Sequence, residues 1–189
     1  GQDTYDGGSG NDTIDYNGNG VGVNLDLAAN TVSGGDADDD TLRGTDGESV
    51  LRGYGGNDRL HGHGGDDSLV GGSGDDSLYG SSGADTMRGG SGSDFFDGGG
   101  GSGTDLLYGD ADADVFHFDR GEGDDVVKDF EDDIDTIEFD NFSAFTTAND
   151  ALAFAVDVSG DVFFDFGADG TLLVENATKA QLVNDIDIV

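Results

Sequence analysis

The chain has 189 residues, of which 36 are glycine and 42 are acidic against only 7 basic, and it contains no proline, cysteine or tryptophan. A formal net charge of −35 argues against binding to nucleic acids or anionic membrane surfaces, and the lack of cysteine excludes disulfides and thiolate metal sites. A sequence this acidic and rich in glycine is typical of a disordered segment, so we expect it to fold only with a partner that neutralises its charge.

The N-terminal part already carries a nine-residue pattern, because Asp3 precedes Asp12 by nine positions. We therefore interpret residues 1–15 as truncated repeats and expect the chain to be the tail of a longer protein with an upstream domain. In residues 16–34 the pattern stops, and alternating apolar and polar residues predict an inserted strand and loop. No apolar run has the length of a membrane-spanning helix and no signal peptide is visible, so we expect no membrane insertion.

A strict nine-residue repeat occupies residues 35–117. An acidic residue recurs on one grid, an apolar residue follows two positions later, and only Ser49 takes an acidic slot within the grid. The acidic positions are Asp40, Asp58, Asp67, Asp76, Asp85 and Asp94, and the apolar positions are Leu42, Leu51, Leu60, Leu69, Leu78, Met87 and Phe96. Gly98 and Gly99 interrupt the grid before two further units, which carry Asp105 and Asp114.

Each unit has six turn-type residues followed by a short strand, which cannot be stable alone, so the units must stack and bury their apolar residues inside. If successive strands lie on opposite walls, one coil takes two units, and alternate grid positions share an edge. Stacked strands lie about 4.8 Å apart. Carboxylates at that separation repel by about 3 kcal/mol at an effective dielectric constant near 20. The pattern therefore predicts an all-β solenoid that requires a cation between neighbouring coils.

The chemistry of the repeat favours Ca²⁺ as that cation. Calcium accepts six to eight oxygen ligands in flexible geometry, and tight glycine turns expose backbone carbonyls beside the carboxylates. Magnesium demands a stricter octahedron and keeps its waters, whereas zinc prefers histidine or cysteine, which the acidic grid does not offer.

The units GHGGDDSLV and GGSGDDSLY resemble the calcium-binding nonapeptide of the RTX (repeats-in-toxin) family. The resemblance implies a right-handed parallel β-roll of nonapeptide repeats with a C-terminal β-rich cap. It also implies a ligand set for each ion, with positions counted from the first glycine of the nonapeptide. One turn supplies its Asp and the carbonyls of positions two and four. The next turn on the same edge supplies its Asp and the carbonyls of positions one and three. Carried over here, one site is Tyr54, Gly56 and Asp58 with Gly71, Ser73 and Asp76; the next is Gly72, Gly74 and Asp76 with Gly89, Ser91 and Asp94; and one on the opposite edge is His63, Gly65 and Asp67 with Gly80, Ser82 and Asp85. Further candidate ligands are Gly53, Gly55, Gly62, Gly64, Gly83, Gly90, Gly92, Gly100, Ser102, Asp105, Gly109, Ala111 and Asp114.

Departures from the repeat refine the expected ligand set. Ser49 removes a charge, so the site that it shares with Asp67 should be weak or empty. Two units place Asp where glycine is usual, and the side chains of Asp36, Asp38, Asp110 and Asp112 are therefore candidate ligands at the ends of the array. We expect Gly98 and Gly99 to bulge outward, so that Asp94 pairs with Asp114 and Asp85 with Asp105. On that basis the main array binds about six or seven calcium ions.

Residues 118–189 lose the repeat and form the predicted cap. The segment VVKDFEDDIDTIEF predicts two short strands around an acidic turn, and two further strands are expected at Val162–Phe166 and Thr171–Val174. Asn149 is a candidate helix cap, but the alternation from Leu152 to Val158 favours a strand there. The first of these segments also resembles the sequence that closes the roll in RTX proteins, which makes Asp125 and Asp129 candidate terminal ligands. The ending NDIDIV resembles the uncleaved signal read by type I secretion machinery, and the alternative is a final strand without a role in export.

The leading functional hypothesis is a bacterial calcium-binding module that folds on extracellular Ca²⁺ and supports secretion of a larger exported protein. One alternative is a calcium-dependent adhesin or carbohydrate-binding module. Another is the tail of an RTX metalloprotease, lipase or epimerase whose catalytic domain lies upstream, since no catalytic set is evident in these residues. His61 and His63 look like a metal pair but fall at variable repeat positions, and His117 is also assigned no role.

Overall fold

The computed structural model describes residues 13–15, 24–26, 39, 41–44, 46–143 and 145–189. Within these ranges the regular secondary structure is almost entirely β-strand. The strands, in chain order, are β1 (Thr13–Asp15), β2 (Asn24–Asp26), β3 (Thr41–Arg43), β4 (Val50–Gly55), β5 (Arg59–Gly64), β6 (Ser68–Ser73), β7 (Ser77–Ser82), β8 (Thr86–Ser91), β9 (Phe95–Asp97), β10 (Leu106–Ala111), β11 (Val115–Asp119), β12 (Gly123–Val127), β13 (Thr136–Asp140), β14 (Ala155–Val158), β15 (Asp161–Asp165), β16 (Gly170–Val174) and β17 (Ile186–Ile188). A short helix, α1 (Ala148–Leu152), and a 3₁₀ turn (Gly167–Asp169) complete the described elements.

The strands alternate between two sheets, as the predicted two-unit coil requires. One sheet has the order β1-β3-β5-β7-β9-β11-β13-β17, and the other has the order β14-β15-β16-β12-β10-β8-β6-β4-β2. Neighbouring strands of the roll are parallel and in register by the nonapeptide grid, so that Leu60 pairs with Leu78 and Leu69 pairs with Met87. The prediction of an all-β parallel β-roll is confirmed.

The core of the roll is a column of the apolar grid residues. Along each strand buried and half-buried residues alternate, because successive side chains of a strand point to opposite faces. The column is fully buried from end to end and consists of Leu42, Leu51, Leu60, Leu69, Leu78, Met87, Phe96, Leu107, Phe116, Val127 and Ile137. Burial of one such side chain contributes about 1.5–3 kcal/mol, which explains the strict apolar spacing. We refer to residues 41–117 as the roll and to residues 118–189 as the cap, so Val127 and Ile137 continue the column of the roll into the cap.

The cap extends both sheets of the roll and covers the open end of its core. Strand β16 is parallel to β12 and β17 is parallel to β13, whereas β14, β15 and β16 form an antiparallel meander. Phenylalanine rings fill the interior, with Phe139 at their centre and the ring centroids of Phe142, Phe145, Phe164 and Phe166 within 5.5–5.8 Å of it.

The strand predictions hold, with one correction in the cap. Both strands around the acidic turn and both of the later strands are present, and the strand expected in the excursion is seen at 24–26. The strand expected from Leu152 was wrong at its start, because Leu152 ends helix α1 and the strand begins at Ala155. Thr147, rather than Asn149, caps the helix, with its side chain accepting a hydrogen bond from the backbone N–H of Asp150.

Candidate metal centre

The grid aspartates form two hydrogen-bonded ladders, one along each edge of the roll. In each ladder the backbone N–H of one aspartate donates to Oδ1 of the aspartate one coil further on. The N···Oδ1 distances on one edge are 2.7 Å for Asp58–Asp76, 2.8 Å for Asp76–Asp94, 2.9 Å for Asp94–Asp114 and 3.0 Å for Asp114–Asp135, and on the other edge 2.7 Å for Asp67–Asp85, 2.7 Å for Asp85–Asp105 and 3.1 Å for Asp105–Asp125. The ladder carboxylates are therefore held in one repeated orientation inside the structure.

The second carboxylate oxygen of the central aspartates has no donor in the protein. Oδ2 of Asp67, Asp76, Asp85 and Asp94 is buried and accepts no hydrogen bond from any residue that the structure describes. These four residues are 1–3 % exposed, so bulk water does not reach their carboxylates. A buried, ionised oxygen without a partner is costly, which makes these four atoms the clearest sign that the roll binds a cation.

The electrostatics of the metal-free ladder agree with this conclusion. Burial raises the pKa of Asp76 and Asp85 to about 6, although the hydrogen bond at Oδ1 opposes the rise. Burial also raises the pKa of Asp94 to about 7 and that of Asp114 to about 8, where the charges of neighbouring ladder carboxylates add to the effect. The ladder thus resists ionisation unless positive charge is supplied.

The first glycine of each turn lets the aspartate approach the backbone closely. A Cβ on Gly71 would lie 2.2 Å from Oδ2 of Asp76, and a Cβ on Gly89 would lie 2.1 Å from Oδ2 of Asp94. The same relation, with distances of 2.1–2.3 Å, joins Gly53 to Asp58, Gly62 to Asp67, Gly80 to Asp85 and Gly109 to Asp114. Any side chain at this position would collide with the carboxylate.

Turn carbonyls from consecutive coils point into the space between them. The carbonyl oxygens of Tyr54 and Gly56 lie 2.2 and 2.1 Å from the places where Gly72 and Gly74 would carry a Cβ, so they face the following coil. The carbonyl oxygen of Gly71 lies 2.8 Å from the Cβ position of Gly53 and faces the preceding coil. Carbonyls of positions two and four thus face forward and those of position one face back, beside the ladder carboxylates.

Positive φ angles shape these turns even where the residue is not glycine. Gly72 and Gly74 have φ of 125° and 118°, and the equivalent turns place Tyr54, His63 and Ser81 at φ of 72–82°. This conformation is unfavourable for residues with a Cβ. The stacked coils therefore impose the turn geometry on these three residues.

Ser49 changes the ladder locally as its sequence position suggests. Its backbone N–H still donates to Oδ1 of Asp67 at 2.6 Å, so the ladder geometry continues through it. Its hydroxyl donates to the carbonyl oxygen of Gly47 at 3.0 Å, which is the position-four carbonyl of that turn. A serine here contributes no charge and its hydroxyl engages a carbonyl that a cation would need.

The bulge after the main array lies later than predicted. Gly98 is not extruded, because a Cβ on it would lie 2.6 Å from Oδ2 of Asp105, the relation seen for the first glycine elsewhere. The expectation that Gly98 and Gly99 bulge was wrong, and the extra residues are instead at Gly100–Ser102, which are exposed. A Cβ on Gly100 would meet nothing within 4 Å. The structure thus moves Gly100 and Ser102 away from the ladder, while the predicted pairs Asp94–Asp114 and Asp85–Asp105 do form.

Both ladders continue beyond the last recognisable repeat. Asp125 is buried and continues one edge, and its role as a ligand stays a prediction. Asp135, which the sequence reasoning missed, continues the other edge; its Oδ1 accepts from Asp114 and its Oδ2 from the backbone N–H of Glu131 at 2.8 Å. Because both oxygens of Asp135 are hydrogen-bonded, this ladder ends in a carboxylate satisfied by the protein.

Other candidate ligands at the ends of the array have protein partners or lie outside the described residues. Asp110 forms an ion pair with Arg88, and Oδ2 of Asp112 accepts from the backbone N–H of Gly92 at 3.2 Å. Asp129 binds the start of the turn that contains Asp110 and Asp112. Its two carboxylate oxygens accept hydrogen bonds from the backbone N–H groups of Gly109 and Asp110 at 2.9 and 3.1 Å. The candidates Asp36, Asp38 and Asp40 lie outside the described residues.

The rings of His61 and His63 are stacked, with their centroids 6.2 Å apart. Nε2 of His61 accepts from Nε of Arg59 at 2.9 Å, and its ring stacks on Tyr79 with the centroids 4.6 Å apart. Burial, together with Arg59 and Arg43, lowers the pKa of His61 to about 4. This neutral ring is part of the outer surface of the sheet and is not oriented as a ligand.

Comparison with known families identifies the repeat. A family model described as the RTX calcium-binding nonapeptide repeat matches four segments, residues 1–15, 34–69, 70–104 and 100–127, which together cover more than half of the chain. The chain belongs to the RTX calcium-binding repeat family. No curated protein matches the chain.

Two solved structures give a weaker comparison with this RTX chain. An extracellular lipase from Serratia marcescens is 18 % identical with a TM-score of 0.48, and the match covers 99 % of the chain and 41 % of the lipase. A subunit of the mannuronan C5-epimerase from Azotobacter vinelandii is 25 % identical with a TM-score of 0.27, and the match covers 82 % of the chain and 81 % of that subunit. The chain thus spans about two fifths of the lipase. No helix of the described residues is long and apolar enough to cross a bilayer.

The RTX donor set fits calcium on chemical grounds. The candidate donors in the turns are carboxylate and carbonyl oxygens. Among them the carbonyl of Ser73, at position three of its repeat, faces the preceding coil and accepts a hydrogen bond from the N–H of Gly56 at 3.0 Å. Such all-oxygen sites of flexible geometry suit Ca²⁺ better than Zn²⁺ or Mg²⁺.

Proposed function

We propose that this chain is a calcium-dependent folding module of a larger exported protein. The observation that carries the proposal is the row of buried, unpartnered Oδ2 atoms on Asp67, Asp76, Asp85 and Asp94. A calcium ion between neighbouring coils would supply the positive charge that these atoms lack and would convert repulsion along the ladder into attraction.

Each ion would bind between two coils on one edge of the roll. For the central site we assign the carbonyls of Gly72 and Gly74 with Asp76, and the carbonyls of Gly89 and Ser91 with Asp94. The forward and backward orientation of the turn carbonyls supports this assignment. With the register observed after the bulge, about six or seven ions would occupy the main array, and the Ser49 position would bind weakly or not at all.

Ion binding and folding would be one event in this module. Without the ions the glycine-rich chain has a large conformational entropy to lose and a net charge of −35 to compress. Binding free energy then becomes folding free energy, so the transition should be cooperative.

The cellular role follows from where calcium is available. In the low calcium of the cytosol the chain would stay extended and competent for export by type I secretion machinery that reads the C-terminal residues. Outside the cell, where modules of this kind bind calcium with dissociation constants of about 10⁻⁴–10⁻³ M, the roll would fold and the cap would dock on its end. Catalytic activity, if the parent protein has any, would reside in an upstream domain.

Far-ultraviolet circular dichroism during a calcium titration tests the proposal. We expect a weak strand signal in excess chelator and a cooperative rise with calcium in the millimolar range, while magnesium at equal concentration has little effect. A full strand signal in chelator, or an equal response to magnesium, would contradict it. Secretion of a fusion protein with and without the last six residues tests the export role separately.

An aromatic row on the outer face of the first sheet supports carbohydrate binding as a second candidate function. His61, Tyr79 and Phe95 are neighbours along this row, with ring centroids 4.6 and 5.8 Å apart, and the Arg59 guanidinium lies 4.4 Å from the Tyr79 ring centroid. A sugar chain would contact the ring edges and the Arg59 guanidinium of this row, because His61 and Tyr79 are stacked face to face. Binding to a glycan array in the presence of calcium, lost in Tyr79→Ala, would support this role, and a blank array would remove it.

A further inference from the structure

A second group of metal-ligating side chains lies on the outer face of the first sheet, away from the ladders. His117 and Asp119 are two residues apart on β11 and therefore point to the same face. Asp140, at the end of β13, is the cross-strand partner of Asp119. One potential ligand atom from each of these three residues lies within 4.8 Å of the other two.

The imidazole is oriented by a carboxylate on the neighbouring strand. Nδ1 of His117 lies 2.8 Å from Oε2 of Glu138, and Nε2 lies 3.9 Å from Oδ2 of Asp119. Histidines that bind metals usually donate their second ring N–H to a carboxylate or carbonyl, which fixes the tautomer and leaves the other nitrogen as the ligand. The Glu138–His117 contact has this arrangement, with Nε2 facing the carboxylates.

Asn141 holds one oxygen of each carboxylate. Its φ of 59° is in the left-handed region and turns the chain at the end of β13. Its Nδ2 donates to Oδ1 of Asp119 at 2.6 Å, and its backbone N–H donates to Oδ1 of Asp140 at 2.6 Å. One residue therefore positions both carboxylates by Oδ1, and the hydrogen bonds of Asn141 leave Oδ2 of each carboxylate as the atom to bind an ion.

The charge around this group is strongly negative. Asp119, Asp140 and Glu138 surround a single imidazole, and the charges of Asp97 and Glu122 also act on it. The ion pairs found for these carboxylates among the described residues involve only His117. The site therefore lacks the positive charge that a structural ion-pair network would contain.

We propose that His117, Asp119 and Asp140 bind a transition-metal ion of the zinc type, at a site separate from the calcium ladder. One imidazole nitrogen and two carboxylate oxygens match the ligands of zinc, whereas calcium prefers oxygen alone. A tetrahedral zinc holds its ligands about 3.3 Å apart. The distance between Nε2 of His117 and Oδ2 of Asp119 is 3.9 Å and all three ligand atoms lie within 4.8 Å of one another, so the side chains would close by at most about 1.5 Å. The ion would join β11 and β13 where the roll meets the cap, with water as its fourth ligand.

Zinc titration of the folded chain in saturating calcium, followed by calorimetry, tests this site. We expect one zinc equivalent that excess calcium does not displace, and we expect Co²⁺ in its place to give visible absorption bands of a site with nitrogen and oxygen ligands. His117→Gln should weaken zinc binding by at least about tenfold, as should Asp119→Asn. Glu138→Gln, which changes the partner of the imidazole Nδ1 and none of the three proposed ligands, should weaken it by about 10–100-fold.

His61→Gln is the matched control, because His61 lies on the same face of the sheet but its Nε2 is bound to Arg59. It should bind zinc like the unaltered chain. Undiminished binding by both His117→Gln and Asp119→Asn, loss of binding in His61→Gln, or no zinc binding by a chain with full strand signal would each overturn the proposal. A chain already folded in chelator would contradict the calcium proposal but would still allow the zinc titration, so the two failures are distinguishable.

Discussion

The roll and the cap share the same two sheets but satisfy their buried polar groups differently. In the roll, Oδ2 of Asp76 and Asp94 is buried without a donor, and the apolar core is a single column of side chains. In the cap, Asp135 has both oxygens hydrogen-bonded and Lys128 forms an ion pair with Glu175. The cap thus satisfies a ladder carboxylate with backbone donors and is filled by a cluster of aromatic rings, whereas the central ladder carboxylates of the roll have no donor in the described part of the protein.

The largest expected effect comes from the aromatic interior of the cap. Phe164→Ala removes a fully buried ring and should lower the free energy of unfolding by about 3–5 kcal/mol in saturating calcium. Urea denaturation measures this loss, and the difference from the unaltered chain should be the same at every saturating calcium concentration, because the substitution leaves the candidate ligands in place. Phe154→Ala, whose ring is 45 % exposed, should cost much less. Equal losses for the two variants would mean that the cap interior is not the core described here.

A glycine in the roll should be next in effect. Gly71→Ala places a Cβ 2.2 Å from Oδ2 of Asp76 and should destabilise the calcium-loaded chain by about 1–3 kcal/mol. Gly100→Ala is the control, since its Cβ meets nothing within 4 Å, and it should be neutral or stabilising by up to about 1 kcal/mol. Thermal denaturation in calcium compares them. A large loss in Gly100→Ala would place the bulge elsewhere.

Removing one ladder charge should have a smaller effect that depends on calcium. Asp76→Asn keeps the shape of the side chain but weakens two ions, so the calcium midpoint of folding should rise by about tenfold, equivalent to about 1.4 kcal/mol. Calorimetry on the folded variant should show weaker binding of the ions that Asp76 contacts, whereas Phe164→Ala should leave the ion affinities of its folded state unchanged, which distinguishes the two variants.

Asp75→Asn removes the same charge from the same turn but from an exposed side chain. Its calcium midpoint should stay close to that of the unaltered chain. If the two variants behave alike, calcium stabilises the roll by reducing the general charge repulsion and not by binding to specific ligands.

Acidity should weaken calcium binding moderately. In the metal-free fold the pKa of Asp76 is raised to about 6 and that of Asp94 to about 7, so the folded state binds protons more tightly than the unfolded chain. The cost of ionising the metal-free ladder is therefore absent below about pH 4, grows as pH rises through these values and is complete above about pH 8. Calcium requires the ionised form and competes with the protons.

We accordingly expect the calcium midpoint to be several-fold higher at pH 6 than at pH 8, with protons released on binding at pH 6. Circular dichroism titrations at the two pH values and a pH-stat measurement of proton release test this. An unchanged midpoint would contradict the raised pKa values of the ladder.

The sequence was most informative where the nine-residue grid is regular. Two coupled periodicities, the aspartate and the apolar residue two positions later, leave one register for the roll, so the ladder and the core column could be predicted together. The grid failed at Gly98–Gly101 because four consecutive glycines give no side chain to mark the first position of the turn. The closeness of Gly98 to Oδ2 of Asp105 and the hydrogen bond from the N–H of Ser81 to the carbonyl of Gly98 fix it.

The cap could be predicted only in part, because its contacts join residues that are distant in sequence. Asp135 continues a ladder, but it follows Asp114 by 21 positions and no repeat points to it. Helix α1 was obscured by an alternating pattern that continues into β14. The side chains of His117, Asp119 and Asp140 come together through the pairing of β11 with β13 and the turn at Asn141, neither of which is visible in the sequence.

An anomalous-diffraction structure of the calcium-loaded chain tests the central claim most directly. The account predicts calcium peaks between consecutive coils on both edges, bound by Asp76 with Asp94 and by Asp67 with Asp85, and a weak or missing peak between Ser49 and Asp67. A roll that forms in saturating calcium with no peaks along the two ladders would contradict it.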